Sequence, residues 1–155
     1  MNDANVRAGR LYRAFCAWLE EQGWPYRSAE EGGIFSVRYT MTGDDLAMRF
    51  SFEIDGRRET LLMRSVLPFA LRRDLLAQGA LAVTAVNNKL TDGNFEVDPR
   101  SGEISFRMSS CFCGAEPDLE VVKYILAFSA MVVDDYNDKF LALNQGKADL
   151  MAFLQ

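Results

Sequence analysis

The sequence contains no histidine, which removes the most common general base of enzymes. Without it, neither a Ser-His nor a Cys-His nucleophile system can form. The phosphate-binding patterns GxxxxGK[ST] and GxGxxG are also missing. Carboxylates are paired at Asp44-Asp45 and Asp134-Asp135, but the first pair is predicted to lie in a turn. The second pair is predicted to lie on a helix, where adjacent residues diverge by about 100°. We therefore predict no catalytic residues and a protein that is not an enzyme.

Cysteine is scarce, with only Cys16, Cys111 and Cys113 in the chain. Three thiols cannot all pair with one another within one chain, and a zinc site needs about four ligands. We therefore predict free thiols, no metal and no cofactor. Cys111 and Cys113 follow Arg107, and a nearby cation can activate an exposed thiol. A thiol-based redox or small-ligand sensor therefore remains an alternative to inert thiols.

Long apolar runs and an excess of basic residues are absent as well. No apolar run approaches the ~20 residues that cross a bilayer, and the N-terminus lacks the apolar region of a secretory signal. We therefore expect a cytoplasmic protein without a membrane partner. The net charge of −5 opposes binding to nucleic acid, which requires clustered cations. The basic pairs Arg57-Arg58 and Arg72-Arg73 each lie beside acidic residues, so no nucleic-acid partner is predicted.

The apolar residues that are present recur at helical and strand periods. Alternation of apolar and polar residues predicts strands with one buried face, and a spacing of three to four residues predicts helices. The predicted elements are a helix over 6–22, strands over 34–41, 47–55 and 57–67, a helix over 69–89, strands over 94–98 and 103–108, and a helix over 117–144. The order α-βββ-α-ββ-α predicts a single α+β domain whose antiparallel sheet is packed by helices.

The strands over 47–55 and 57–67 are predicted to form a hairpin, here called the first hairpin, that turns at Asp55-Gly56, because a type I′ turn favours such residues. A two-residue turn places Phe50 opposite Leu61. It also places Glu53 opposite Arg58, as a cross-strand ion pair. The apolar matches become poor next to the turn, so the tip of the hairpin is predicted to project into solvent.

The stretch 87–107 ends the second helix and then forms the second hairpin. A four-residue loop places Val97 opposite Ile104 and Phe95 opposite Phe106, so the two apolar faces agree. Asn87 and Asn88 stand just before this hairpin. They are expected to cap the helix or to hydrogen-bond across to the hairpin, and binding to the backbone of a partner is the functional alternative.

The last helix carries more apolar residues than one face can hold. This excess predicts burial on two sides, by the sheet and by a second subunit. We therefore predict a homodimer. The predicted dimer or partner surface consists of Val121, Tyr124, Ile125, Phe128 and Val132.

The order of the elements and the stretch 87–107 are similar to the YbjN-like family, which is described as a family of bacterial sensory transduction regulators. The residues that carry this resemblance are Asn87, Asn88, Gly93, Phe95, Val97, Asp98, Gly102, Ile104, Phe106, Arg107, Asp134, Asp135, Tyr136 and Phe140. The segment from Cys111 to Gly114 departs from the family pattern. The tail after Gly146 is extra, so the expected division is a domain over 1–146 and a short C-terminal extension over 147–155.

The resemblance implies the fold of the type III secretion chaperones, dimerisation and a role without catalysis. It carries over no catalytic residues, because the family is not known as enzymatic. The expected function is a regulatory or protein-binding module that forms a homodimer and binds an unidentified protein partner. A dedicated type III secretion chaperone for an effector is the first alternative.

Overall fold

Six strands form one antiparallel sheet, in the order β1-β2-β3-β4-β6-β5, in the computed structural model of the chain. The structure describes residues 3–154. The elements are α1 Asp3–Glu21, β1 Tyr26–Glu31, β2 Ile34–Thr42, β3 Ala47–Asp55, β4 Thr60–Ala70, a 3₁₀ turn Arg73–Leu75, α2 Leu76–Asn87, β5 Asn94–Val97, β6 Glu103–Cys111, α3 Leu119–Asn144 and α4 Met151–Leu154. The predicted α+β class with an antiparallel sheet is confirmed. Between residues 3 and 154, no helix combines the length and the apolarity needed to cross a bilayer.

The sheet has a core face and an open face, because successive side chains of a strand point to opposite sides. Helices α1 and α3 pack on the core face. The ring of Phe15 meets that of Phe52 edge-on at 5.3 Å, and the hydroxyl of Ser129 lies 3.9 Å from the sulfur of Met108. The open face carries the exposed arginines of the strands, Arg27, Arg38, Arg49, Arg64 and Arg107.

Strand β1 was not predicted, so the structure has four strands between α1 and α2 rather than three. It pairs with β2 along its whole length, from Tyr26 opposite Tyr39 to Glu31 opposite Ile34. Its sequence YRSAEE lacks apolar alternation, because every residue after Tyr26 is exposed. An edge strand without a buried face has no period-2 signal, and only the pairing reveals it.

The predicted register of the first hairpin is wrong by two residues on each strand. The loop spans 56–59, with Ile54 opposite Leu61 and Phe52 opposite Met63. The shift is even, so apolar residues still face apolar residues on the core side. The expected pair of Glu53 and Arg58 is therefore absent from the ladder. The carboxylate of Asp55 instead accepts hydrogen bonds from the backbone N–H groups of Arg57 and Arg58, which closes a longer turn.

The tip of this hairpin packs against α1 at Gly56 and Glu59, whereas Arg57 and Arg58 project into solvent as predicted. Gly56 is buried, and a Cβ added there would lie 2.9 Å from the Cα of Asn5 and 3.0 Å from the Cβ of Ala8. The carboxylate of Glu59 forms an ion pair with Arg7 of the same helix. Gly56, which was predicted to make a tight turn, instead allows α1 to pack closely against the hairpin.

Helix α2 begins later than predicted, because β4 continues through Pro68 to Ala70. The pairing of β4 with β6 is irregular between Val66 and Ala70. A proline is tolerated in such an irregularity because no ladder hydrogen bond is required from its nitrogen.

The second hairpin has the predicted register, with Val97 opposite Ile104 and Phe95 opposite Phe106. Helix α3 likewise ends at the predicted Asn144. After Gly146 the chain returns to the core, where the ring of Phe153 lies 5.0 Å from that of Phe140. The division into 1–146 and 147–155 remains a prediction.

Asn87 ties α2 to β5. Its side-chain amide donates to the carbonyl of Phe95 at 3.0 Å, and its side-chain carbonyl accepts from the N–H of Phe95 at 2.8 Å. The predicted hydrogen bond across to the hairpin is confirmed for Asn87. Asn88 is exposed and takes the C-cap position of α2 through its backbone.

Leu71 is the point where β4, α2 and the turn between β5 and β6 meet. Its N–H donates to the carbonyl of Gly102 at 2.8 Å. A Cβ added at Gly102 would lie 2.4 Å from the carbonyl oxygen of Leu71, and one added at Gly79 would lie 2.2 Å from its Cδ1. A side chain at position 102 would displace neighbouring backbone, whereas one at position 79 would meet the end of the Leu71 side chain.

The end of α3 forms hydrogen bonds with the residues on either side of Leu71. The side-chain amide of Asn144 donates to the carbonyl of Ala70 at 3.0 Å, and its oxygen accepts from the N–H of Arg72 at 2.8 Å. Four parts of the fold thus converge on three consecutive residues. We name this convergence the Leu71 junction.

Replacing Asn87 by alanine tests the tie between α2 and β5. The variant leaves the N–H of Phe95 without its side-chain acceptor and removes the shorter of two hydrogen bonds to the carbonyl of Phe95. We therefore expect a loss of about 1–3 kcal/mol in the free energy of unfolding. Urea denaturation followed by circular dichroism measures it. Asn88→Ala is the matched control, expected to change stability by no more than about 0.5 kcal/mol. Equal losses in the two variants would contradict the assignment.

Replacing Gly102 by alanine tests the close contact at the Leu71 junction. Gly114 is the matched control, because both glycines have positive φ, +76° and +81°, but nothing lies within 4 Å of a Cβ at Gly114. Gly114→Ala should cost about 1–2 kcal/mol from backbone strain alone. Gly102→Ala should cost about 1–3 kcal/mol more, since neighbouring backbone must move. Thermal unfolding measures the difference. Equal unfolding temperatures for the two variants would contradict a stabilising role of the close contact between Gly102 and Leu71.

Candidate functional site

The predicted surface on α3 is divided between the core and the exterior. Val121 and Tyr124 are 39% and 50% exposed, and Phe128 is half-buried. Ile125 and Val132 are only 1% and 2% exposed. These two residues are therefore wrongly assigned to a free surface: they lie about two turns apart on the buried side of α3.

The exposed members belong to a longer row on α3. Val121, Tyr124, Phe128 and Met131 follow at intervals of three, four and three residues, which places them along one side of a helix. Met131 is 54% exposed and was not predicted, although its spacing continues the row. We name these four residues the α3 stripe. No charged residue occurs between Tyr124 and Val133.

Tyr124 is held in place by two contacts. Its hydroxyl donates to the carboxylate of Asp92 at 2.6 Å, and its ring centre lies 5.9 Å from that of Phe128. The hydrogen bond to Asp92 raises the pKa of Tyr124. The stripe therefore presents a fixed, neutral aromatic ring.

A second uncharged surface lies on α2, which contains no charged residue in its twelve positions, LAQGALAVTAVN. Its exposed positions include Ala77, Ala80, Leu81 and Thr84, with Leu81 55% exposed. We name these four residues the α2 face. Exposed helix positions normally carry charged or strongly polar residues. The signal for this surface in the sequence is a helix without a charged residue on any side.

The cysteine segment lacks the features of an activated thiol. Cys111 and Cys113 are both exposed, and a hydrogen bond with the Cys111 side chain raises the pKa of Cys113. The guanidinium of Arg107, expected to activate them, pairs instead with Glu96 at 2.8 Å. Cys16 is half-buried, and burial raises the pKa of its thiol. Within residues 3–154, no group of three His, Cys, Asp or Glu could hold a metal ion.

The architecture defines a class of protein. A chain of the ExsC–ExsE complex superposes with a TM-score of 0.59 at 17% identity, covering 84% of this chain and 93% of that one. A chain of the HopA1–SchA chaperone–effector complex gives a TM-score of 0.55 at 20% identity, covering 84% of this chain and 92% of that one. The protein therefore has a type III secretion chaperone-like fold.

Within this class, the chain belongs to the YbjN family. The family model, described as "Putative bacterial sensory transduction regulator", matches residues 13–142. The crystal structure of YbjN, titled "a putative transcription regulator from E. coli", gives a TM-score of 0.57 at 15% identity, covering 82% of this chain and 91% of that one. No curated protein matches the sequence. The resemblance read from residues 87–107 is thus confirmed.

The raised pKa of Cys113 predicts a thiol of low reactivity at neutral pH. A raised pKa leaves less thiolate at neutral pH, so Cys113 should react with iodoacetamide more slowly than an ordinary exposed thiol. The rate of this alkylation should rise at a higher pH than it does for an ordinary exposed thiol. Peptide mass spectrometry follows the rate at each pH.

Cys111→Ser is the control for this reactivity, because it replaces the side chain whose hydrogen bond and charge raise the pKa of Cys113. We expect the pH profile of Cys113 to move to lower pH in this variant. A wild-type Cys113 already fast at pH 7 would contradict the assignment and would favour a redox role.

Proposed function

We propose that the protein is a non-enzymatic homodimer that binds a partner protein. Membership of the YbjN family and the similarity to chaperone and regulator structures support a regulatory or protein-binding role. The observation that carries the finer proposal is the pair of exposed, uncharged helix surfaces, the α2 face and the α3 stripe. Exposed apolar surface of this kind marks sites of protein contact.

The α2 face is the proposed contact between the two subunits. Each chain carries a net charge of −5, so two copies repel one another over most of their surface. A surface without charge is where this repulsion opposes contact least. The small side chains of Ala77 and Ala80 allow two helices to approach closely, and a two-fold axis near Leu81 makes the surface self-complementary.

The α3 stripe is the proposed contact with a partner protein. Tyrosine and methionine are enriched in the cores of protein interfaces, and the stripe exposes Tyr124 and Met131. One of the similar structures is a chaperone–effector complex, which supports a partner that is itself a protein. An amphipathic segment with apolar side chains at helical spacing fits four residues along one side of a helix.

A dedicated type III secretion chaperone for an effector is the narrower version of this proposal. It requires one partner, bound in fixed stoichiometry by the α3 stripe. The thiol sensor has less support, because the raised pKa of Cys113 disfavours the reactive thiolate.

Two lysine variants separate the two contacts. Leu81→Lys places a buried charge in the proposed subunit interface, so it should convert the dimer to a monomer at micromolar concentration. Met131→Lys should remain a dimer and lose the partner that wild type captures in fixed stoichiometry from its host. Size-exclusion chromatography with light scattering measures the mass.

The control is Gln22→Lys, which adds the same charge at an exposed position after α1 and should leave both properties unchanged. Circular dichroism verifies that each variant is folded. A wild-type protein that is monomeric at micromolar concentration, or a Leu81→Lys variant that is still a dimer, would refute the proposed interface.

A further inference from the structure

Arginines form a row across the open face of the sheet. Arg27 stands opposite Arg38, Arg38 opposite Ser51, Ser51 opposite Arg64, and Arg64 opposite Arg107. Directly opposed residues of neighbouring strands lie within reach of each other's side chains. Five adjacent strands thus contribute one residue each to a line that contains four guanidinium groups.

A pocket of about 580 Å³ lies over one end of this row. Its volume is within the ~300–1,000 Å³ that is typical of small-molecule sites. The described lining residues include no aspartate and no glutamate. The cationic lining consists of Arg27, Arg38, Arg49 and Arg64, and the apolar lining includes Pro25, Val66 and Pro68.

These guanidinium groups are left with little compensation by the protein. Within residues 3–154, the guanidinium groups of Arg27, Arg38 and Arg49 make no hydrogen bond or ion pair, although the backbones of these residues pair in the sheet. Arg64 has two neighbours, the hydroxyl of Ser105 at 3.2 Å and the carboxylate of Glu103 at 3.5 Å. The chain has 22 acidic residues against 17 basic ones, so carboxylates are plentiful but are not placed in this pocket.

The direct opposition of Arg27 and Arg38 is also unfavourable for folding. Like charges at opposed positions of neighbouring strands destabilise a sheet. An uncompensated cationic cluster with this arrangement becomes favourable when an anion occupies it. The guanidinium fork matches the two oxygens of a carboxylate or a phosphate.

We propose that this pocket binds a small organic anion, a carboxylate or phosphate ester with an apolar body. The arginines take the anionic group, and the apolar lining takes the body. A purely acidic peptide would leave that apolar lining uncovered, so the chemistry favours an amphipathic molecule. The site lies on the open face of the sheet, whereas the proposed protein contacts lie on α2 and α3, so each can fail independently of the other.

Binding at this site acts on strand β1. This edge strand has only β2 as a neighbour and is exposed from Arg27 to Glu31. An anion that contacts Arg27, Arg38 and Arg64 neutralises their repulsion and links β1 to strands beyond β2. The occupied pocket therefore holds β1 more firmly in the sheet, which makes β1 the part of the molecule that senses the ligand.

Isothermal titration calorimetry with octanoate and with octyl phosphate tests the proposal on the full chain. Octanamide, which has the same apolar body without the charge, should bind about tenfold more weakly or worse than octanoate. Inorganic phosphate tests the anionic group without the body and should also bind more weakly than octyl phosphate. Hydrogen exchange of the β1 amides should slow when octanoate is bound.

Arg38→Gln and Arg49→Gln should each weaken octanoate binding by about tenfold or more. Arg58→Gln is the matched control, because Arg58 is exposed at the tip of the first hairpin and should not affect binding. Without ligand, Arg38→Gln should unfold at a temperature no lower than wild type, because it removes one of two opposed charges. An unchanged or higher unfolding temperature would show that Arg38→Gln loses octanoate binding without losing its fold.

Three results would overturn the proposal. In the first, Arg38→Gln and Arg49→Gln bind octanoate as tightly as wild type. In the second, octanamide binds as tightly as octanoate. In the third, a glutamate-rich peptide displaces octanoate and binds more tightly than it does, which would assign the pocket to a protein partner instead of a small anion.

Discussion

The fold depends on the close backbone contact at the Leu71 junction. Leu71 has Gly102 against its backbone and Gly79 against its side chain, and Asn144 bridges the residues on either side of it. One short segment therefore fixes the positions of α2, the second hairpin and the end of α3 relative to the sheet. This contact requires glycine at position 102, because any larger residue there would force packed backbone apart. The two outer surfaces on α2 and α3 inherit their relative placement from it.

The sequence predicted those parts of the fold whose signals are local. The second hairpin has its predicted register because Phe95 and Phe106 each have one side that must be buried. Strand β1 was missed because it buries almost nothing, and the turn at Gly56 was misread because that glycine serves a contact with α1 that only the tertiary structure reveals. For the candidate site, excess apolar residues on α3 were a correct signal for exposed apolar surface. They could not separate Ile125, which faces the sheet, from Tyr124, its exposed neighbour.

The surface of the molecule divides into regions of different chemistry. The α2 face and the α3 stripe are free of charge, whereas the open face of the sheet carries guanidinium groups in a chain whose net charge is negative. Apolar faces favour association with other apolar protein surfaces, and paired arginines favour oxygen anions. A sheet with helices on one face has room for both, because its other face is not needed to build the core. The proposed protein contacts and the proposed anion site therefore lie on separate surfaces of the chain.

The strand order has a consequence for how the chain reaches its native state. Strand β4 pairs with β6 along most of its length, although α2 and β5 lie between them in the sequence. Pairing them closes a long loop, which is entropically unfavourable until the intervening segment is already ordered. The hydrogen bonds between Asn87 and Phe95 shorten that loop by joining α2 to β5 across only a few residues. The asparagine side chain therefore stabilises the finished sheet, and it would also speed the pairing of β4 with β6 if its two hydrogen bonds form first.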